Sequence, residues 1–234
     1  MSLLTLVQNA ADRIGIVRPS SVIGSADGQV RQLLSLSQQE GKELARRHPW
    51  QSLIKEKTIT AIAAEEQTSG IPTDFDRFVD ETFYNRTQKR KVEGPLNAKE
   101  WADYKGRTTT AIWDAFRVRG NAGLLAPTPT ANDSYVYEYV TTYWATTSGS
   151  TTPSLAAWAA DTNEGILSEE LMTDGIVWRF KKAKGLDYAE EFRTYEAQLA
   201  LMMGRDGGKR KVSMAAPFKL MRPGVTVPEG SWNL

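Results

Sequence analysis

The sequence has no cysteine and a single histidine, His48. The first absence removes disulfides, thiolate nucleophiles and cysteine-ligated metals, and it suits a reducing compartment. The second leaves no ordinary His/Cys zinc site and obliges any Ser-His-Asp triad to be built on His48. That residue sits in Arg46-Arg47-His48-Pro49-Trp50, which reads as a helix exit and not as a catalytic setting. Long apolar runs are also missing. Nothing approaches the roughly 20 residues that span a bilayer, so no membrane partner is expected. The stretch Met1–Gln8 is apolar but has neither a basic n-region nor a small-residue cleavage site. It predicts a helix and not a signal peptide, and a chain that starts in a cytoplasm. An excess of one charge is lacking too: the formal net charge is +1, which argues against a dedicated duplex-DNA binder.

What is present is globular. With 234 residues, 41% hydrophobic and 24% charged, the chain is long enough for a sizeable core and too apolar for wholesale disorder. Residues 3–15 form an amphipathic pattern through Leu3, Leu6, Val7, Ala10 and Ile14, with Gly15 as a stop. Ser25 or Asp27 is placed to cap a second helix. Its stripe is Val30, Leu33, Leu34, Ser37, Gly41 and Leu44, and it ends near His48-Pro49. The middle reads as β-rich. Lys57–Ala63, Arg77–Tyr84, Ala111–Arg119 and, most strongly, Ser134–Thr147 are strand candidates. Asn97 caps a short helix to Lys105 that packs Trp101 and Tyr104. Residues 148–154 read as a mobile loop. Ser168 then caps a helix to Lys184 with Gly185 behind it, its buried face being Leu171, Met172, Ile176, Phe180 and Ala183. Asp187 starts the last helix, with Glu190 in a capping-box-like arrangement and a stripe of Phe192, Tyr195, Leu199 and Met202.

The expected fold class is therefore α+β: a helical bundle from the N- and C-terminal helices, a β-rich insertion and an extended C-terminal arm. The corresponding boundaries are 1–54 with 163–206, then 55–162, then 207–234. The arm follows Gly207-Gly208 and has no helical period. It carries Val212, Met214, Phe218, Leu220, Met221, Val225, Val227, Trp232 and Leu234, broken by Pro217, Pro223 and Pro228. That is too apolar for a solvated tail and too proline-broken for a helix. It either folds back on its own domain or docks on another chain. Charge favours docking: residues 176–234 hold 11 Lys/Arg and 6 Asp/Glu, and the first 175 hold 18 and 22, so a basic end trails an acidic body.

Chemistry is otherwise sparse. Gly204-Arg-Asp-Gly-Gly-Lys-Arg-Lys has the wrong spacing for a phosphate loop and follows a helix instead of opening one. Glu65-Glu66 and Glu169-Glu170 are adjacent acids of the kind normally solvated, although paired carboxylates also serve glycoside hydrolysis. Trp50, Trp101, Trp113 and Trp178 read as core. Tyr143 and Trp144 end a strand and are offered to a partner, as are the last-turn cations Lys181, Lys182 and Lys184, which also suit a helix C-terminus. No catalytic, metal or cofactor-binding residue is assigned.

Several segments resemble head-to-tail adaptor (connector) proteins of tailed bacteriophages and prophages. They are Gln29–Leu34, Glu43–Trp50, Phe83–Thr87, Gly94–Leu96, Phe116–Asn121, Tyr137–Val140 and, above all, Trp178–Glu190. The resemblance covers nearly all of residues 1–206 and is most specific over 178–196. It implies a non-enzymatic structural protein of the virion neck, made in the host bacterial cytoplasm. It further implies a ring of typically twelve copies, a portal protein above and a tail or nozzle protein below. In such adaptors the C-terminal segment commonly reaches the portal. The bore passes DNA without sequence-specific binding, which near-zero net charge fits. A tail-associated peptidoglycan hydrolase is the alternative, but no recognisable site supports it.

Overall fold

The computed structural model describes residues 2–106, 113–120 and 122–207. Five α-helices and ten strands are assigned among them, in an α+β arrangement with a curled main sheet. The strand order is β1 (Ile54–Thr60), β8 (Ser134–Thr141), β4 (Tyr84–Asn85), β5 (Arg90–Glu93), β6 (Asp114–Arg119), β7 (Ala122–Ala126) and β2 (Glu66–Gln67), and β3 (Phe75–Phe78) pairs with the far end of β8.

The first helix, α1 (Leu3–Ile14), starts where the Ser2 hydroxyl accepts from the Thr5 N–H and stops at Gly15, which is left-handed at φ 79°. α2 (Gly28–Arg47) is capped by Asp27, whose carboxylate accepts from the Gln29 N–H at 2.8 Å. Ser25 is not the cap. The buried stripe of α2 holds Val30, Leu33, Ser37, Gly41 and Leu44 as expected, and it also holds Glu40 and Ala45. A short 3₁₀ turn, Gln51–Leu53, leads into β1 (Ile54–Thr60).

Then come β2 (Glu66–Gln67), β3 (Phe75–Phe78), β4 (Tyr84–Asn85) and β5 (Arg90–Glu93). The run Arg77–Tyr84 is thus two strands separated by a turn in which Glu81 is left-handed, not one strand. β5 pairs in parallel with β6 (Asp114–Arg119), and α3 (Ala98–Gly106) supplies the crossover that a parallel pair requires. Asn97 and Glu100 form a reciprocal capping box across the start of α3. Trp101 of α3 is buried with Ala115, Leu124 and Ala126, and the Tyr104 hydroxyl donates to the Trp113 carbonyl at 2.6 Å. β7 (Ala122–Ala126) returns against β6.

β8 (Ser134–Thr141) is the spine of the sheet, pairing with β1, β3 and β4. Tyr135, Tyr137 and Tyr139 point into an aromatic interior with Phe75, Phe78, Phe83 and Phe116. The expected strand to Thr147 breaks after Thr141, and β9 (Ala145–Thr146) pairs separately with β10 (Glu164–Gly165). Residues 148–154 are a bonded turn and not a free linker: the N–H groups of Ser154 and Leu155 both donate to the Ala145 carbonyl.

α4 (Glu169–Lys184) and α5 (Ala189–Asp206) complete the chain. Ser168 holds the N-cap position of α4 without a side-chain capping bond. Gly185 closes the helix at φ 71°, its N–H reaching the Lys181 and Lys182 carbonyls. α4 packs against α1, α2 and α5. From Leu171 to Phe180 every residue but Asp174 is buried, because neighbours surround the helix; Ala183 lies beyond them and is exposed.

Candidate interaction surfaces

The three-helix contact is fixed by a buried charged cluster. Glu40 of α2 is fully buried. Its carboxylate accepts from Arg179 Nε of α4 at 2.6 Å and from the Tyr195 hydroxyl of α5 at 2.5 Å. Arg179 also donates to Glu43 at 2.9 Å. Arg47 extends the cluster outward, donating to Glu196 at 2.6 Å and to Glu43 at 3.0 Å. Burial pushes the Glu40 carboxyl up, against the pull of Tyr195 and Arg179. Burial also works upward on Glu43, but Arg179 and Arg47 outweigh it and hold that carboxyl below its ordinary range. The Tyr195 hydroxyl is raised by burial and by the adjacent Glu40 charge. Gly175 makes the cluster possible, since a Cβ there would overlap the Glu40 carboxyl.

α5 is thereby held at Tyr195 and Glu196, and its end is held as well. The Asp206 carboxylate accepts from the Gln51 N–H at 2.9 Å and lies 3.4 Å from His48 Nε2. His48, a helix-exit residue in the sequence, thus stands beside the point where the C-terminal segment begins. The arm residues Val212, Met214, Phe218, Leu220, Met221, Val225, Val227, Trp232 and Leu234 lie outside the described residues.

Lys181, Lys182 and Lys184 are brought together on the last turn of α4. Lys181 pairs with Glu191 and holds that carboxyl below its ordinary range. Lys182 Nζ lies 5.8 Å from the Trp178 ring and Lys184 Nζ 5.2 Å from the Phe180 ring. Leu186 and Phe192 are exposed beside them, so this corner offers both cations and apolar surface. Tyr143 is half-buried, with Lys55 Nζ 5.1 Å from its ring. Trp144 is a correction: it is fully buried, not at a partner-facing surface. Its ring packs edge-on against Trp158 at 4.8 Å, its Nε1 donates to the Ala156 carbonyl, and Gly41 of α2 leaves the space it fills. Beyond the end of β8 at Thr141 the chain turns into the helical core, and the indole goes with it.

Of the other aromatic residues read as core, Trp50, Trp101 and Trp178 are buried and Trp113 is half-buried. Glu65 pairs with Lys105 at 2.5 Å, and Glu169 and Glu170 are exposed in the first turn of α4. Among the described residues no three His, Asp or Glu side chains are placed to hold a metal ion, and no helix is long and apolar enough to cross a membrane.

Two surface features escaped the sequence reading. The turn joining β4 to β5 exposes Arg86 and Lys89, which with Tyr84 and Asn85 of β4 line an open depression of about 410 Å³. Its signal was there in Arg86, Lys89, Arg90 and Lys91, four cations within six residues. A second depression, of about 260 Å³, lies between α1 and α4 and is lined by Asp12, Glu169 and Glu170. No signal within one segment marks it, because its acids come from opposite ends of the chain.

A family model described as SU10 adaptor protein matches residues 1–219. No curated protein matches the chain.

Proposed function

The chain belongs to the SU10 adaptor protein family, a family of phage adaptors, and from that premise we propose that it is the structural head-to-tail adaptor of a tailed phage. In this reading copies form a ring beneath the portal protein, join it to a tail or nozzle protein, and leave a bore through which DNA passes. Residues 1–54 and 163–206 form a helical bundle that acts as the collar. Residues 55–162 form the β-rich insertion that contacts neighbours and tail, and residues 207–234 lie on the portal.

The family match carries the proposal, since it runs to residue 219 and so takes in the root of the arm. The geometry supports it in two ways. The charged cluster of Glu40, Arg179 and Tyr195 fixes α5, so the arm leaves from a defined place. The Lys182, Lys184, Leu186 and Phe192 corner offers a mixed apolar and cationic face of the kind that partner surfaces use. Deletion of residues 209–234 tests the docking role. The truncated chain is expected to keep its fold by circular dichroism and to lose binding to purified portal. Unchanged portal affinity would remove the arm from the interface.

A further inference from the structure

The β4–β5 turn is built rigidly, and its cations are left over. The Asn85 side chain accepts from the Gln88 N–H at 2.9 Å and donates to Asp114 at 3.2 Å. Gln88 Nε2 donates to Asp133 at 2.9 Å, and Thr87 Oγ1 accepts from the Ser134 N–H at 2.8 Å. Lys89 is held at φ 54°, a left-handed conformation that lysine seldom adopts. The polar residues of the turn thus serve its shape, whereas Arg86 and Lys89 are exposed on it and Lys91 is exposed on the adjoining β5. Arg86 makes a 3.4 Å contact with Glu56, both side chains more than half exposed. Lys91 reaches only 3.8 Å from an exposed Glu81, and Lys89 forms no ion pair among the described residues. Such exposed pairs contribute little and are exchanged readily. Tyr84 is 41% exposed beside them.

The α1–α4 depression has the opposite charge. Asp12, Glu169 and Glu170 are all exposed there, Asp12 only in a 3.9 Å contact with an equally exposed Arg18. The one cation in its lining, Arg13, is already engaged by Asp174. Asn9 donates to Glu169 at 3.5 Å. The two depressions belong to elements packed into different cores, the sheet interior and the helical core, and no ion pair among the described residues joins them. Every copy therefore presents a rigid, exposed basic turn and a separate acidic hollow.

We infer that the β4–β5 turn of one copy docks in the α1–α4 depression of a second copy, Arg86 and Lys89 facing Asp12 and Glu170. The contact is heterologous, so each copy gives its turn to one neighbour and receives another's turn in its own hollow, as a closed ring requires. This rests on the ring proposed above and supplies its interface.

The test is charge reversal in the full chain, followed by sedimentation velocity at low salt. The wild type is expected to self-associate, and added salt to weaken it. Arg86→Glu with Lys89→Glu, and separately Asp12→Lys with Glu170→Lys, are each expected to raise the concentration for half-association at least about tenfold. The two variants mixed in equal amounts are expected to recover wild-type association, because alternating copies place opposite charges at every contact. Arg86→Gln with Lys89→Gln removes attraction without adding repulsion and should weaken association less, and circular dichroism checks that each variant folds. If reversal leaves association unchanged, or mixing fails to restore it, the inference is wrong while the ring stands. A wild type that stays monomeric at every concentration overturns the ring and this contact together. If the reversed turn loses binding to a short DNA duplex while self-association is unaltered, the turn is a nucleic-acid surface and the second copy is not its occupant.

Discussion

Glu40 is the residue on which the helical half depends. A fully buried carboxylate is costly unless its partners replace water, and Arg179 and Tyr195 do so from two other helices. Removing one partner leaves the other charge stranded. Arg179→Met is therefore expected to lose about 3–5 kcal/mol of stability in urea denaturation at neutral pH. The loss should also depend on pH. Without Arg179, the already raised Glu40 carboxyl rises further above its unfolded value. The folded variant then binds a proton that the unfolded chain releases, so the penalty is largest at high pH and shrinks as pH falls toward the unfolded carboxylate value of about 4.3. A penalty independent of pH would mean that lost packing, not the stranded charge, is responsible. Asp74 behaves in the opposite sense. Burial works upward on its carboxyl, but the contacts with Lys55, Thr141 and Tyr139 outweigh it and hold it low. Its contribution is present above the unfolded value of about 3.9 and is lost as pH falls through the folded value. Asp74→Asn should therefore flatten the wild type's loss of stability with falling pH below about pH 4, read from melting temperatures across that range.

At the scale of elements, two glycines decide how closely the helices approach. Gly175 lets α4 sit against the Glu40 carboxyl, and Gly41 lets α2 accept the Trp144 ring. Gly41→Ala puts a methyl group into that ring. Although alanine favours the helix by up to about 1 kcal/mol, overpacking of this kind typically costs about 1–3 kcal/mol. A net loss of stability in thermal melts is expected, with Trp144 fluorescence altered. An unchanged or raised melting temperature would show that the indole can move aside at little cost. Most helix ends were readable in advance: Gly15, Asp27, Asn97 and Gly185 hold the roles their residue types suggest, whereas α5 starts at Ala189 behind Tyr188 and not at Asp187, with no capping box. Strand ends were not. The alternation around Tyr135–Tyr139 identifies β8, but the same β-forming residues continue past Thr141, where only the turn toward the helices ends the pairing. β2, β5, β7 and β10 were missed, being short strands with little alternation that exist through their neighbours.

At the scale of the molecule, β8 joins two cores. Tyr135, Tyr137 and Tyr139 lie in the sheet interior, whereas Val140 and the following Trp144 and Ala145 lie in the helical core. Trp50, Trp144, Trp158 and Trp178 report on the helical side, and far-UV circular dichroism reports on both. Because one strand enters both cores, the two signals are expected to change together with denaturant in one transition. Separate midpoints would show that the β-rich part unfolds on its own, and that the boundaries proposed at 55 and 162 are also boundaries of stability.

The sequence by itself determined the fold class, the run of helices at each end, most helix caps and the absence of cysteine chemistry. These follow from local periodicity and residue type, which a linear pattern records directly. It also placed Glu40 on the buried stripe of α2 without saying so: the residue lies three after Ser37 and four before Leu44, but glutamate reads as solvated until a partner is known. Only the tertiary structure decided which polar residues are interior and that Trp144 is core. It alone brought the acids of α1 and α4 together in one hollow. The physical reason is the same in each case: burial and charge complementarity depend on what lies opposite, and what lies opposite can come from residues more than a hundred positions away, such as Arg179 for Glu40.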